Sequence, residues 1–73
     1  QAELTCRLLD VMVQSRNWQA LPPMQSFGLI MIAGKIARML TGDPAFVDHA
    51  TDIAGYARLI ERELEAAKET PNP

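Results

Sequence analysis

Apolar residues recur through the first part of the chain at Leu4, Leu8, Val11 and Met12, with Leu9 and Val13 broadening the stripe. Steps of three and four belong to a helix and not to a strand. The spacing predicts a first helix over 2–16, with Glu3, Arg7, Asp10 and Gln14 on its polar side. Glu3 and Arg7 stand one turn apart, an ion pair worth roughly a few tenths of a kcal/mol. The run Asn17-Trp18-Gln19-Ala20-Leu21-Pro22-Pro23 must leave the helix, because each proline lacks a donor and extends the residue before it. Trp18 and Leu21 are expected to tuck over one end of the core.

A second helix is predicted over 24–41, with Phe27, Ile30, Ala33, Ala37 and Leu40 on one line. Leu29, Met31, Ile32, Ile36 and Met39 fill much of the remaining circumference. A helix apolar nearly all round is covered on more than one side. Two other helices cannot cover it completely, so part of it is expected to pack against another subunit. Gly28, Ala33, Gly34 and Ala37 are small enough for close helix approach, at about 1 kcal/mol of helix propensity per glycine.

Thr41-Gly42-Asp43-Pro44 then breaks the pattern. Gly42 suits a left-handed residue after a helix end, Asp43 an N-cap, and Pro44 a first helical position. A third helix is predicted over 44–68, placing Phe46, Ala50, Ile53, Ala57, Ile60, Leu64 and Ala67 along a heptad seam. Arg58, Glu61, Arg62, Glu63, Glu65 and Lys68 mix both signs, as a solvated face does. Residues 69–73 read as a disordered tail. The fold class expected is all-α: one domain over 1–73, three helices, a hairpin between helices two and three, completed by oligomerisation.

Composition adds three constraints. At 73 residues one hydrophobic core barely offsets chain entropy. A lone cysteine, Cys6, makes no internal disulfide and with His49 makes no zinc set, so a partner is the remaining source of buried surface. Cys6 itself is expected to be a small buried hydrophobe. The net charge of −2 argues against a duplex-DNA footprint, and the third helix is not basic enough for helix-turn-helix recognition. The longest apolar run, Phe27 to Gly34, is far short of the roughly 20 residues that cross a bilayer. No secretory signal is read, and a cytoplasmic location is expected. Because the chain begins at Gln1 and not at Met, a leader, a tag or a longer N-terminal region is expected to be missing.

The charged residues near the hairpin raise the question of chemistry. Asp48 and Asp52 project from one face of helix three, one turn apart. A hairpin folded near Gly42 and Asp43 sets Lys35 level with Ala50 and Arg38 level with Val47, so two cations and two carboxylates meet. Such a cluster is either a structural network, since charges near a core need partners, or a site where Asp48 and Asp52 hold a hard divalent cation such as magnesium. His49 and Tyr56 share a flank with Asp52, and Tyr56 is expected to hydrogen-bond a carboxylate or a backbone group on a partner. No serine or cysteine is placed as a nucleophile for His49, so hydrolysis through it is not expected.

The stretch Phe27-Gly28-Leu29-Ile30-Met31-Ile32-Ala33-Gly34-Lys35-Ile36-Ala37-Arg38, with Asp48-His49-Ala50-Thr51-Asp52-Ile53-Ala54-Gly55-Tyr56-Ala57 after the break, resembles a widespread family of small phage and prophage proteins. Its members carry a Lys-Ile-Ala-Arg helix end and an Asp-x-x-x-Asp-Ile-Ala-Gly-Tyr-Ala helix, and the match covers about half of the chain. That family is similar to the all-α MazG-type nucleoside triphosphate pyrophosphohydrolases, which hold magnesium with acidic residues on neighbouring helices and assemble through helix packing between subunits. The resemblance implies Asp48 and Asp52 as metal ligands, with Lys35 and Arg38 near the phosphates of a nucleotide. It also calls for a Glu-x-x-Glu pair on an earlier helix, where this chain has Glu3 and Asp10, seven apart.

Two functions follow as expectations. The favoured one is a noncatalytic helical interaction protein of phage type that self-associates and binds a host or phage protein, because the acidic set is incomplete and the surplus apolar surface needs a partner. The alternative is a MazG-like, magnesium-dependent nucleotide-binding protein or pyrophosphohydrolase.

Overall fold

The computed structural model describes residues 2–69, in which three helices and a short 3-10 turn follow one another without a strand. The first helix, α1 (Ala2–Val13), ends three residues before the predicted limit. Its last carbonyls turn inward early: Gln14 N–H bonds Val11 O, and Ser15 bonds Met12 O through its N–H and, at 2.6 Å, its hydroxyl. A 3-10 turn over Trp18–Ala20 carries the chain round, with Trp18 and Leu21 half-buried as expected.

The second helix, α2 (Pro23–Thr41), opens on its two prolines. Pro22 is extended because a proline follows it, and Pro23 occupies the first turn, where its missing N–H costs nothing. The far end departs from expectation. Gly42 has φ −121°, and among the described residues no glycine has a positive φ. The terminal carbonyls are taken without a left-handed residue: Gly42 N–H reaches Arg38 O at 2.9 Å, and Thr41 Oγ1 donates to Ala37 O at 2.8 Å.

The third helix, α3 (Val47–Glu69), starts three residues later than predicted. Asp43 caps a turn of its own instead of this helix, its Oδ1 accepting from Ala45 N–H at 2.9 Å while Phe46 N–H bonds its carbonyl. An aspartate two residues before a free N–H closes an Asx turn, and that local bond wins over the cap. The expected tail reduces to Glu69, the last residue of α3, and to 70–73, which lie outside the described residues.

The packing follows from which positions of α2 are buried. Gly28, Ala33 and Ala37 are the buried residues of that helix. At 100° per residue, Ala37 sits about 180° round the helix from Gly28, and Ala33 about 140°. Gly28 meets α3: a Cβ built on it would stand 2.8 Å from Ile60 Cδ1. Since α2 packs on both α1 and α3, the opposite pair of alanines faces α1. The two outer helices thus flank α2 on opposite sides. Overall dimensions agree: the chain measures 48 × 28 × 12 Å. Two stacked helix layers, with axes 8–10 Å apart, need about 13–15 Å between outer Cα atoms, so this is a single twisted layer.

A single layer buries little. Its radius of gyration is 14.1 Å, against about 11 Å for a compact chain of this length. Among the described residues no large side chain is fully buried, while Val11, Leu40 and Val47 are each at least 70% exposed. Cys6 is exposed as well, contrary to expectation. Only one side of α1 is covered, and Cys6, two residues from the half-buried Leu8, points away from that side.

Candidate functional site

The hairpin of α2 and α3 sets the geometry of the charged residues. Lys35 Nζ lies 2.8 Å from Asp52 Oδ2. With the Gly28–Ile60 approach one helical stretch away, this fixes an antiparallel register in which Lys35 faces Asp52 and not Ala50. The two-residue offset from the predicted pairing follows from the longer break, in which the Asx turn adds residues before α3 begins. The Lys35 side chain is 20% exposed and that of Asp52 43%, so the pair is partly shielded.

The other half of the expected cluster does not assemble. Arg38 and Asp48 are exposed, and no ion pair joins them among the described residues. Arg38 lies about 80° round α2 from Gly28, toward a depression of about 270 Å³ lined by Thr5, Ile30, Met31, Gly34 and Lys35. On the other side of the Lys35–Asp52 bond lies a second depression, of about 410 Å³, lined by Thr51, Asp52, Gly55, Tyr56 and Leu59. A Cβ on Gly34 or on Gly55 would meet nothing within 4 Å, so neither glycine is demanded by a contact inside this chain.

On the aromatic flank of α3, His49, Asp52 and Tyr56 share the half-buried side of the helix, as expected. Tyr56 makes an edge-on contact with Phe27, ring centroids 6.2 Å apart. His49 stands edge-on to Phe46 at 5.0 Å, and its buried Nδ1 has no hydrogen-bond partner among the described residues. Further along α3 the exposed Arg58 guanidinium bonds Glu61, which raises its pKa first through that hydrogen bond and then through the carboxylate charge.

Chemically, the arrangement offers one carboxylate already held by a lysine and a second that stands apart. Among the described residues no three acidic, histidine or cysteine side chains come close enough to hold a metal ion. Glu3, on the exposed side of α1, pairs with Arg7 at 3.5 Å. Lys35 and Arg38 both line the smaller depression, Lys35 while bonded to Asp52.

Away from the charges, the layer has a second face that sequence reasoning only half identified. Phe27, Lys35 and Arg38 lie on one side of the Gly28 contact line, and Asp48, Asp52, Gly55 and Leu59 on the matching side of α3; the Lys35–Asp52 bond and the Phe27–Tyr56 contact join these sides. Round the other way, about 80–120° from Gly28, stand Leu29, Ile36 and Leu40. About 80–120° from Tyr56, in the same sense, stand Ala50, Ala57 and Leu64. The heptad seam is therefore split: Ile53 and Ile60 are half-buried, while Phe46, Ala50, Ala57 and Leu64 stay exposed. The periodicity signalled this stripe, but not that α2 covers just one edge of it.

No described helix is long and apolar enough to cross a membrane. Comparison of the chain with protein-family models, with curated proteins and with solved structures gave no match.

Proposed function

We propose that this chain is a small noncatalytic helical interaction protein, of the phage type its Lys-Ile-Ala-Arg and Asp-Ile-Ala-Gly-Tyr-Ala motifs resemble, which self-associates and binds a protein partner in the host cytoplasm. One observation carries the reading: three helices lie in a single layer 12 Å thick, whose buried α2 residues are a glycine and two alanines. Burial of apolar area stabilises by about 25 cal/mol per Å², and small side chains supply little of it. Large side chains such as Leu40, 70% exposed, and Phe46, 49% exposed, are left for a second surface to cover. A chain of this length then gains its missing core by association. The charged residues fit the same reading, because Lys35 satisfies Asp52 inside the hairpin and thereby ties α2 to α3.

Sedimentation across a wide concentration range tests it. The expected result is a species heavier than 8.1 kDa that persists on dilution until a defined dissociation constant is reached. A folded monomer at every concentration would overturn the proposal.

A further inference from the structure

The two faces of the layer are not equivalent, and the difference identifies what covers one of them. The face holding Lys35, Arg38, Asp48 and Asp52 carries charges of both signs. The opposite face presents Leu29, Ile36 and Leu40 from α2 beside Ala50, Ala57 and Leu64 from α3. Leu40 is 70% exposed there, Leu64 47% and Ile36 38%. Along the α3 part of this band no charged side chain occurs from Ala50 to Ala57; beside Leu64 it is edged by Glu61, which pairs with Arg58, and by Glu65 and Lys68.

Three features select the occupant. The chain exposes 5565 Å², where a compact protein of 8.1 kDa exposes about 4,500 Å². The excess, roughly 1,000 Å², matches the share of about 800 Å² that each partner gives to a standard interface. In a two-fold interface residue i meets residue j of the copy and only residues at the axis meet themselves, so an interface centred on the small, uncharged Ala57 sets no charge against its like at the axis. Finally, the exposed positions Ala50, Ala57 and Leu64 continue the seam whose Ile53 and Ile60 already pack on α2, and alternating small and large residues let two such surfaces interdigitate.

We infer that a second copy of this chain docks on the Leu29/Ile36/Leu40–Ala50/Ala57/Leu64 face about a two-fold axis, stacking two α2–α3 hairpins into a two-layer bundle. The inference rests on the self-association proposed above and assigns it to one face. The charged face stays open in the dimer, with its two depressions on either side of the Lys35–Asp52 bond.

The experiment compares Ala57→Lys on the apolar face with Leu59→Lys on the charged face, each followed by sedimentation and by circular dichroism. Ala57→Lys is expected to weaken the dimer at least tenfold, as two lysines are brought together at the axis, and Leu59→Lys to change it less than twofold. A second measurement does not depend on a destabilising substitution. In a Cys6→Ser background, Ala57→Cys is expected to give a covalent dimer with a short bis-maleimide, and Gly55→Cys, about 160° round the same helix, is not. Cross-linking through position 55 alone, or a dimer weakened by Leu59→Lys and not by Ala57→Lys, would overturn the assignment of the face while leaving self-association in place. A wild-type monomer would remove both.

Discussion

Gly28 offers the sharpest test of the packing between α2 and α3. A Cβ at this position would stand 2.8 Å from Ile60 Cδ1 and 2.9 Å from Ile60 Cγ1, closer than carbon atoms approach without displacement. Gly28→Ala has two opposed effects. Alanine favours the helix by about 1 kcal/mol, while overpacking a close contact costs typically about 1–3 kcal/mol. The expected net effect is a loss of about 1 kcal/mol, a fall in melting temperature of roughly 4–8 °C for a chain of this size. Removing the obstacle should reverse the sign. In an Ile60→Ala background, which deletes both opposing carbons, Gly28→Ala should stabilise by about the 1 kcal/mol of propensity alone. The coupling between the two substitutions is then about 2 kcal/mol, within the range found for residues in contact.

The assay is thermal and urea unfolding of the four proteins followed by circular dichroism. Protein concentration must be held equal, because association adds stability by mass action. Gly55→Ala is the internal control. It occupies the middle of α3, nothing among the described residues lies within 4 Å of its Cβ position, and it belongs to the face left open in the proposed dimer. It should gain about 1 kcal/mol whatever stands at position 60. A Gly28→Ala protein as stable as Gly55→Ala, with no coupling to Ile60, would refute the close approach and with it the hairpin register.

Two further outcomes follow from the site. Asp52→Asn removes a bond between side chains that are 20% and 43% exposed, and is expected to lower stability by up to about 1 kcal/mol, while magnesium titration of the wild-type protein gives no saturable signal; saturable magnesium binding lost in Asp52→Asn would favour the MazG-like alternative. His49→Leu removes a buried Nδ1 that has no hydrogen-bond partner and keeps an apolar group beside Phe46, so a gain of about 1 kcal/mol is expected in urea unfolding, and a loss of that size would mean that the imidazole has a polar role.

The helices were legible because their evidence is periodic and local. Leu4, Leu8, Val11 and Met12 can form one stripe only on a helix, and the paired prolines can only precede α2. The ends were less legible because each is a contest between short-range bonds of similar strength. Asp43 had two backbone donors within reach, and it took Ala45 N–H instead of starting α3. That choice moved the helix start to Val47 and shifted the register to give Lys35 to Asp52, while Arg38 and Asp48, each about 80° round its helix from the contact line, point away from one another. Opposite charges on facing helices can be read from spacing, but a pair forms only where the register brings it level, and the register is set by the turn. The fate of Cys6 and of the heptad seam was hidden for a different reason: periodicity says which residues share a face, and says nothing about whether the chain has a helix available to cover it.

That last point connects the packing to the proposed function. The buried residues of α2 are among the smallest available, Gly28 on the α3 side and Ala33 and Ala37 on the other. Small residues at these contacts let the helices approach closely, with Ile60 of α3 seated over Gly28. The large residues, Phe27, Ile36, Leu40, Phe46 and Leu64 among them, are thereby turned to the two faces. Placing bulk between the helices would have produced a self-sufficient three-helix core. Placing it on the faces produces a sheet-like tile with apolar surface left for the proposed association to cover. On one face Lys35, Arg38, Asp48 and Asp52 interrupt the apolar surface and tolerate water; on the other nothing interrupts it until Glu61. On the proposed self-association, folding and association of this chain become one problem, and the Leu40–Ala57 face is where the second half of its core is proposed to lie.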